Sequence, residues 1–119
     1  MNSSFRDTAY RGHKSEDQVA NFLITKGHTI LARNFRCPDG ELDIISLSGD
    51  VLVITEVKSL TRNWDSDEVR HMVTPFKLAK MKRALRAFLA SGCNATFKSI
   101  RFDVATVTNG QITCYQCES

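Results

Sequence analysis

The stretch Gly40–Lys58, GELDIISLSGDVLVITEVK, decides how this chain folds. Two apolar, β-branched runs, Glu41–Leu47 and Val51–Val57, flank the sequence Ser48-Gly49-Asp50-Val51. That pattern predicts two antiparallel strands joined by a two-residue turn, with Gly49 at the first central position as a type II′ turn requires. The turn sets the register. Ser48 pairs with Val51, Leu47 with Leu52, Ile45 with Ile54, and Asp43 with Glu56. Directly opposed residues share a face with Cβ atoms roughly 5 Å apart, so the two carboxylates become neighbours. Lys58 lies two residues past Glu56 and therefore joins that face. A slip of one residue would undo the arrangement.

Like charges opposed across a ladder are destabilising, so the pair calls for a compensating partner. Hard carboxylate oxygens suit Mg²⁺ or Mn²⁺, and a neighbouring lysine can orient water or neutralise developing charge. Asp43 and Glu56 are thus candidate metal ligands, and Lys58 a candidate catalytic lysine. A second reading stays open: E-x-K is a short pattern, and an exposed face on which Lys58 pairs with Glu56 or Glu41 would produce it equally.

Upstream, a helix is expected over about Gly12–Lys26, ending at Gly27, with residues 1–11 as a flexible tail. Ser15 and Gln18 have capping-box spacing, which would start the helix as late as Ser15. Its apolar stripe, Val19, Ala20 and Leu23, runs through Glu16. If this helix packs on the carboxylate face, Glu16 joins Asp43 and Glu56; alternatively it favours the helix dipole near the N-terminus. A strand at Thr29–Phe35 and a turn at Cys37–Gly40 complete the approach to the hairpin.

Downstream, a polar loop leads to a second helix with Pro75 in its first turn and its end near Gly92. Strands at Ser99–Val107 and Ile112–Tyr115 are joined by Asn109-Gly110, a hairpin signal. The order α-β-β-β-α-β-β describes one α/β domain over residues 12–119. The second helix carries Lys77, Lys80, Lys82, Arg83 and Arg86 without an intervening acid, beside a core stripe of Leu78, Met81, Leu85, Phe88 and Leu89. A cationic helix next to an acidic pocket suits a phosphate backbone, so these five are candidate nucleic-acid contacts; a solvated basic face is the plainer alternative. Arg33, Arg36, Arg62, Arg70 and His71 are candidates to extend the patch, and Phe35 or Trp64 to stack on an unpaired base, with Trp64 equally a candidate to anchor its loop against the core.

Composition narrows the class. The chain has 119 residues, 42% hydrophobic and 24% charged, with net charge +3. Those values fit one soluble globular domain, and the mild charge does not by itself indicate a nucleic-acid partner. No apolar run approaches the roughly 18 residues of a membrane span, and no signal-peptide core opens the chain, so a cytoplasmic protein without membrane contact is expected. Cys37, Cys93, Cys114 and Cys117 show no redox or zinc context, because the C-x-x-C sits on a terminal strand rather than at a helix start.

The blocks SEDQVANFL, ARNFRCPDGELDII, TEVKS, VTPFK and RFDV resemble those of the bacterial YraN family, over about Gly12–Val107. That family is similar to the PD-(D/E)xK nuclease superfamily and especially to archaeal Holliday-junction resolvases. The resemblance implies a restriction-endonuclease-like αβββαβ core, with a central mixed sheet flanked by helices. It also implies roles: Glu16 as the helix acid, Asp43 and Glu56 as metal acids, Lys58 as the catalytic lysine, and Lys77 as the lysine opening the second helix. Three positions depart from the pattern. Ser15 replaces a common glycine, Leu60 a common arginine and Leu78 a common glutamine. The expected activity is metal-dependent, structure-selective cleavage of DNA, such as branched or junction DNA. Symmetric cuts at a four-way junction would need a homodimer. The alternative is a non-catalytic module that binds nucleic acid or a repair partner.

Overall fold

The computed structural model describes the backbone of residues 3–117 and the side chains of residues 14–117. Helix α1 spans Ser3–Thr25, followed by strands β1 (Thr29–Cys37), β2 (Gly40–Ser48) and β3 (Val51–Ser59). A short helix α2 (Ser66–Arg70) and a longer α3 (Pro75–Ala90) precede β4 (Ser99–Thr108) and β5 (Gln111–Gln116). The five strands form one sheet in the order β1-β2-β3-β4-β5. All neighbours are antiparallel except β3 and β4, which are parallel. A parallel pair needs a crossover, and α2 and α3 supply it.

The decisive turn forms as its residues dictate. Gly49 has φ +59°, which glycine adopts freely, and the ladder pairs Ser48 with Val51, Leu47 with Leu52, Ile45 with Ile54 and Ile44 with Thr55. Asn109 and Gly110 both have positive φ, as a type I′ hairpin demands. Two expectations need correction. Helix α1 begins at Ser3 rather than between Gly12 and Ser15, and Ser15 is a buried residue within it, not a cap. The expected polar loop after β3 also contains α2, which Asp65 and Glu68 close with a reciprocal capping box.

The sheet carries helices on both faces. Helix α3 packs Leu78, Met81, Ala84 and Leu85 against Leu42, Ile45, Leu52, Ile54 and Phe102. Helix α1 packs Val19, Ala20 and Leu23 against Ile44, Ala105 and Val107 on the other face. Leu42 and Ile44 are two apart in one strand, yet they belong to opposite faces. The same switch occurs in the neighbouring strand. Arg33 reaches acids on α1, whereas Phe35 meets the Phe88 ring of α3 edge-on at 5.3 Å. Between Arg33 and Phe35 stands Asn34 at φ +53°, and the ladder places Arg33 opposite Ile44 and Phe35 opposite Leu42. A left-handed residue breaks the alternation of a strand. Asn34 and Asp43 thus occupy the line where the sheet exchanges its faces.

Candidate active site

Asp43 leaves the regular ladder one step after Ile44–Thr55, and its Oδ2 accepts the backbone N–H of Val57 at 2.8 Å. The carboxylate therefore replaces a strand partner, and β2 and β3 fork around it. Glu56 lies on the α3 face, 7% exposed, and its Oε1 accepts Lys77 Nζ at 2.8 Å. Lys58 Nζ stands 3.6 Å from the same oxygen. Pro75 at the first helical position and the Thr74 side chain, which accepts the Lys77 N–H, fix the start of α3 so that Lys77 projects towards Glu56.

Glu16 arrives from the other face. The condition set for it, that α1 packs on the Glu56 face, is not met: α3 covers that face, and α1 lies beneath Val57 and Ile44. Glu16 nevertheless reaches the site because Asp43 sits where the faces exchange. Glu16, Glu41 and Asp43 each place a carboxylate oxygen within 4.8 Å of the others. Glu16 is only 13% exposed at its side chain and has Arg33 Nη2 at 3.8 Å, while Arg33 bonds Asp17 at 2.6 Å. Glu41, paired with Arg36 at 3.3 Å, is the member that the family pattern did not supply. Its i, i+2 spacing from Asp43 carries the signal in the sequence.

Glu41, Asp43, Glu56 and Lys77 line a cavity of about 430 Å³, which Asp39, Phe76, Lys80 and Met81 also bound; Glu16 and Lys58 stand behind its wall-forming acids. Burial pushes the Asp43 carboxyl up to about 6, and the charge of Glu56 adds to this, followed by Glu16 and Glu41; the Val57 hydrogen bond acts the other way. Burial works to lower the Lys77 ammonium, but its hydrogen bond to Glu56 and the charges of Glu56 and Asp43 raise it overall. Lys77 is therefore a firmly charged lid on Glu56.

The five cations of α3 do not form one stripe. Lys77 and Lys80 line the acidic cavity, and Arg83 pairs at 3.3 Å with Asp39 on its rim. Lys82 and Arg86 line a separate cavity of about 320 Å³ against Ile100 and Phe102. The core stripe of α3 divides them, since positions 77, 80 and 83 flank one side of it and 82 and 86 the other. Neither proposed stacking ring lines the acidic cavity. Phe35 packs on Phe88, and the Trp64 ring lies 4.5 Å beneath Arg62. The ring that the cavity does expose, Phe76, was not singled out by the sequence.

The remaining thiols stand apart from this chemistry. Burial, with the charge of Asp103 next, raises the Cys114 and Cys117 thiols, the opposite of activation. No helix among the described residues is long and apolar enough to cross a membrane.

Comparison with known proteins decides the family. The profile described as "Uncharacterised protein family UPF0102" matches residues 15–107, most of the chain. This chain belongs to UPF0102. That is the YraN family whose motifs the sequence resembles. A UPF0102 protein of Kineococcus radiotolerans is 36% identical over 97 residues, covering 82% of this chain and 79% of its own. One from Synechococcus sp. is 37% identical over 97 residues, covering 81% and 72%. Another, from Thermosynechococcus vestitus, is 42% identical over 98 residues, covering 81% and 78%. The matched region holds all four acids and both site lysines of this UPF0102 protein.

Proposed function

We propose that this UPF0102 protein hydrolyses DNA phosphodiesters with a divalent cation, Mg²⁺ or Mn²⁺, acting at branches or junctions in preference to plain duplex. The observation that carries this reading is an open cavity lined by Glu41, Asp43, Glu56 and Lys77, with Glu16 beside Glu41 and Asp43 and with Lys58 beside Glu56, the six residues coming from four separate elements.

The donor set fits such a cation. Its ligands are hard oxygens, and octahedral neighbours around Mg²⁺ lie about 3 Å apart, so the three acids, within 4.8 Å of one another, would draw together to hold it. Asp43 would be the central ligand, with Glu16, Glu41 and the second oxygen of Glu56 as its partners. A bound cation supplies positive charge to the phosphate oxygens and lowers the pKa of water. The chain's own residues do the rest. Lys58 donates to the attacking water or to the pentacovalent phosphate, where its charge is worth more than in bulk water. Lys77 and Lys80 hold the flanking phosphates, and Lys77 transfers its hydrogen bond from Glu56 to phosphate as substrate arrives. Paired incision across a four-way junction requires two such sites, hence a homodimer; a flap requires one.

The test is cleavage of labelled linear, flapped, forked and four-way DNAs in Mg²⁺ or Mn²⁺. Asp43→Ala should lose cleavage by at least two orders of magnitude, and Lys58→Ala should lose it while retaining DNA affinity. Wild-type protein that cuts no substrate, or a Lys58→Ala variant that cuts at the wild-type rate, contradicts the reading.

A further inference from the structure

Phe76 is 73% exposed, the most exposed of the large apolar side chains among the described residues. Scattered single exposed apolar residues are ordinary on protein surfaces. Ile24 and Ile100, the other two, carry no further feature of this cavity. Phe76 differs in its position. Its ring forms part of the wall of the cavity that also holds Asp43, Glu56, Lys77 and Lys80. Its backbone is held by Pro75 before it and by the Thr74 cap on Lys77 after it, so the ring stands on a rigid base. Lys80 Nζ lies 5.5 Å from the ring centroid, close enough to attract its face electrostatically yet leaving most of the ring open.

An open aromatic face beside lysines is the arrangement that grips a single nucleic-acid strand: cations track the phosphates and the ring takes a base. The cavity of about 430 Å³ falls within the roughly 300–1,000 Å³ of small-ligand clefts, room for one nucleotide. A base inside duplex DNA is stacked on both sides and cannot offer its face to Phe76. A base at a flap, fork or junction centre can.

We infer that Phe76 is a specificity-determining residue: it stacks on an unpaired nucleobase beside the scissile phosphate, so this site selects DNA with a splayed or single-stranded nucleotide. The inference rests on the nuclease reading above for the position of that phosphate, and names the substrate class of the same site. Lys77 and Lys80, on the same cavity wall, hold the backbone, and Phe76 replaces the neighbour that the base loses on leaving its stack.

Binding without cleavage tests it. Oligonucleotides carrying 2-aminopurine at the unpaired position of a flap, and a fully paired control, are titrated with wild type, Phe76→Ala, Phe76→Tyr and Phe76→Leu, in chelator and in Ca²⁺. Wild type and Phe76→Tyr should prefer the flap and change the probe's fluorescence. Phe76→Ala and Phe76→Leu should lose roughly five- to hundredfold in flap affinity, with little change on paired DNA. All four proteins should melt together, because the ring is exposed. If wild type and Phe76→Ala bind the flap equally and perturb the probe equally, the stacking role is wrong while the nuclease reading stands. If wild type binds neither DNA under any condition, the nuclease reading fails and the stacking role falls with it.

Discussion

At Asp43, burial and the neighbouring carboxylates oppose ionisation, and the Val57 N–H favours it. The balance raises the folded pKa from 3.8 to about 6. Below 3.8 the carboxyl is protonated in both folded and unfolded chains and costs nothing. Between 3.8 and about 6 the unfolded chain ionises first, so stability falls as pH rises; above about 6 the full cost, on the order of 3 kcal/mol, is present. In chelator, Asp43→Asn should therefore stabilise the protein at about pH 7.5 by up to about 3 kcal/mol, since the amide oxygen can still accept the Val57 N–H. At about pH 4 most of that gain should vanish. Urea melts at the two pH values check this, and an equal effect at both would show that repulsion at Asp43 is not its source. The turn at Gly49 made the register legible as far as Ile44–Thr55. The expected Asp43–Glu56 pair does not form, because Asp43 leaves the ladder to accept the Val57 N–H; the two acids meet instead in one cavity. Glu41 was not legible, because the paired-acid pattern has no place for a third acid on the same strand. Phe76 was not, because the letters of a helix start do not reveal whether a ring is covered.

At the scale of elements, the site depends on the exchange of faces at Asn34 and Asp43. Strict alternation along β2 would put Leu42 and Ile44 on one face, and the left-handed Asn34 in the adjacent strand marks where that fails. Alternation cannot foresee such a break, although Asn is the non-glycine residue that tolerates it most often. Asn34→Ala should cost roughly 1 kcal/mol for the left-handed backbone, whereas Asn34→Gly should be tolerated. Thermal melts of the two variants give the comparison; equal destabilisation would mean that the side chain of Asn34, not its backbone, holds the crossing. The hairpins were legible because Gly49, Asn109 and Gly110 state their turn types locally. Helix α2 was not, because five residues give no periodicity, although Asp65 and Glu68 have the capping-box spacing that could have found it.

Across the whole molecule, net charge +3 says little, and the placement of charge says more. The cluster of cations on α3 was legible as a run of letters, but its division into two flanks depended on which stripe the sheet buries. Lys80→Ala should lower DNA affinity and reduce the slope of log affinity against log salt by about 1, whereas the double change Lys82→Ala with Arg86→Ala should alter both far less. Equal effects would place the DNA across both flanks of the helix. If acids from both faces of the sheet form one cation site at Asp43, metal binding can be measured without any substrate. A cation that binds only the folded chain raises its melting temperature. Melting curves at neutral pH, in chelator and in Mg²⁺ or Mn²⁺, should show a rise of several degrees for wild type and none for Asp43→Asn. No metal response in wild type, or the same response in both proteins, would contradict the account.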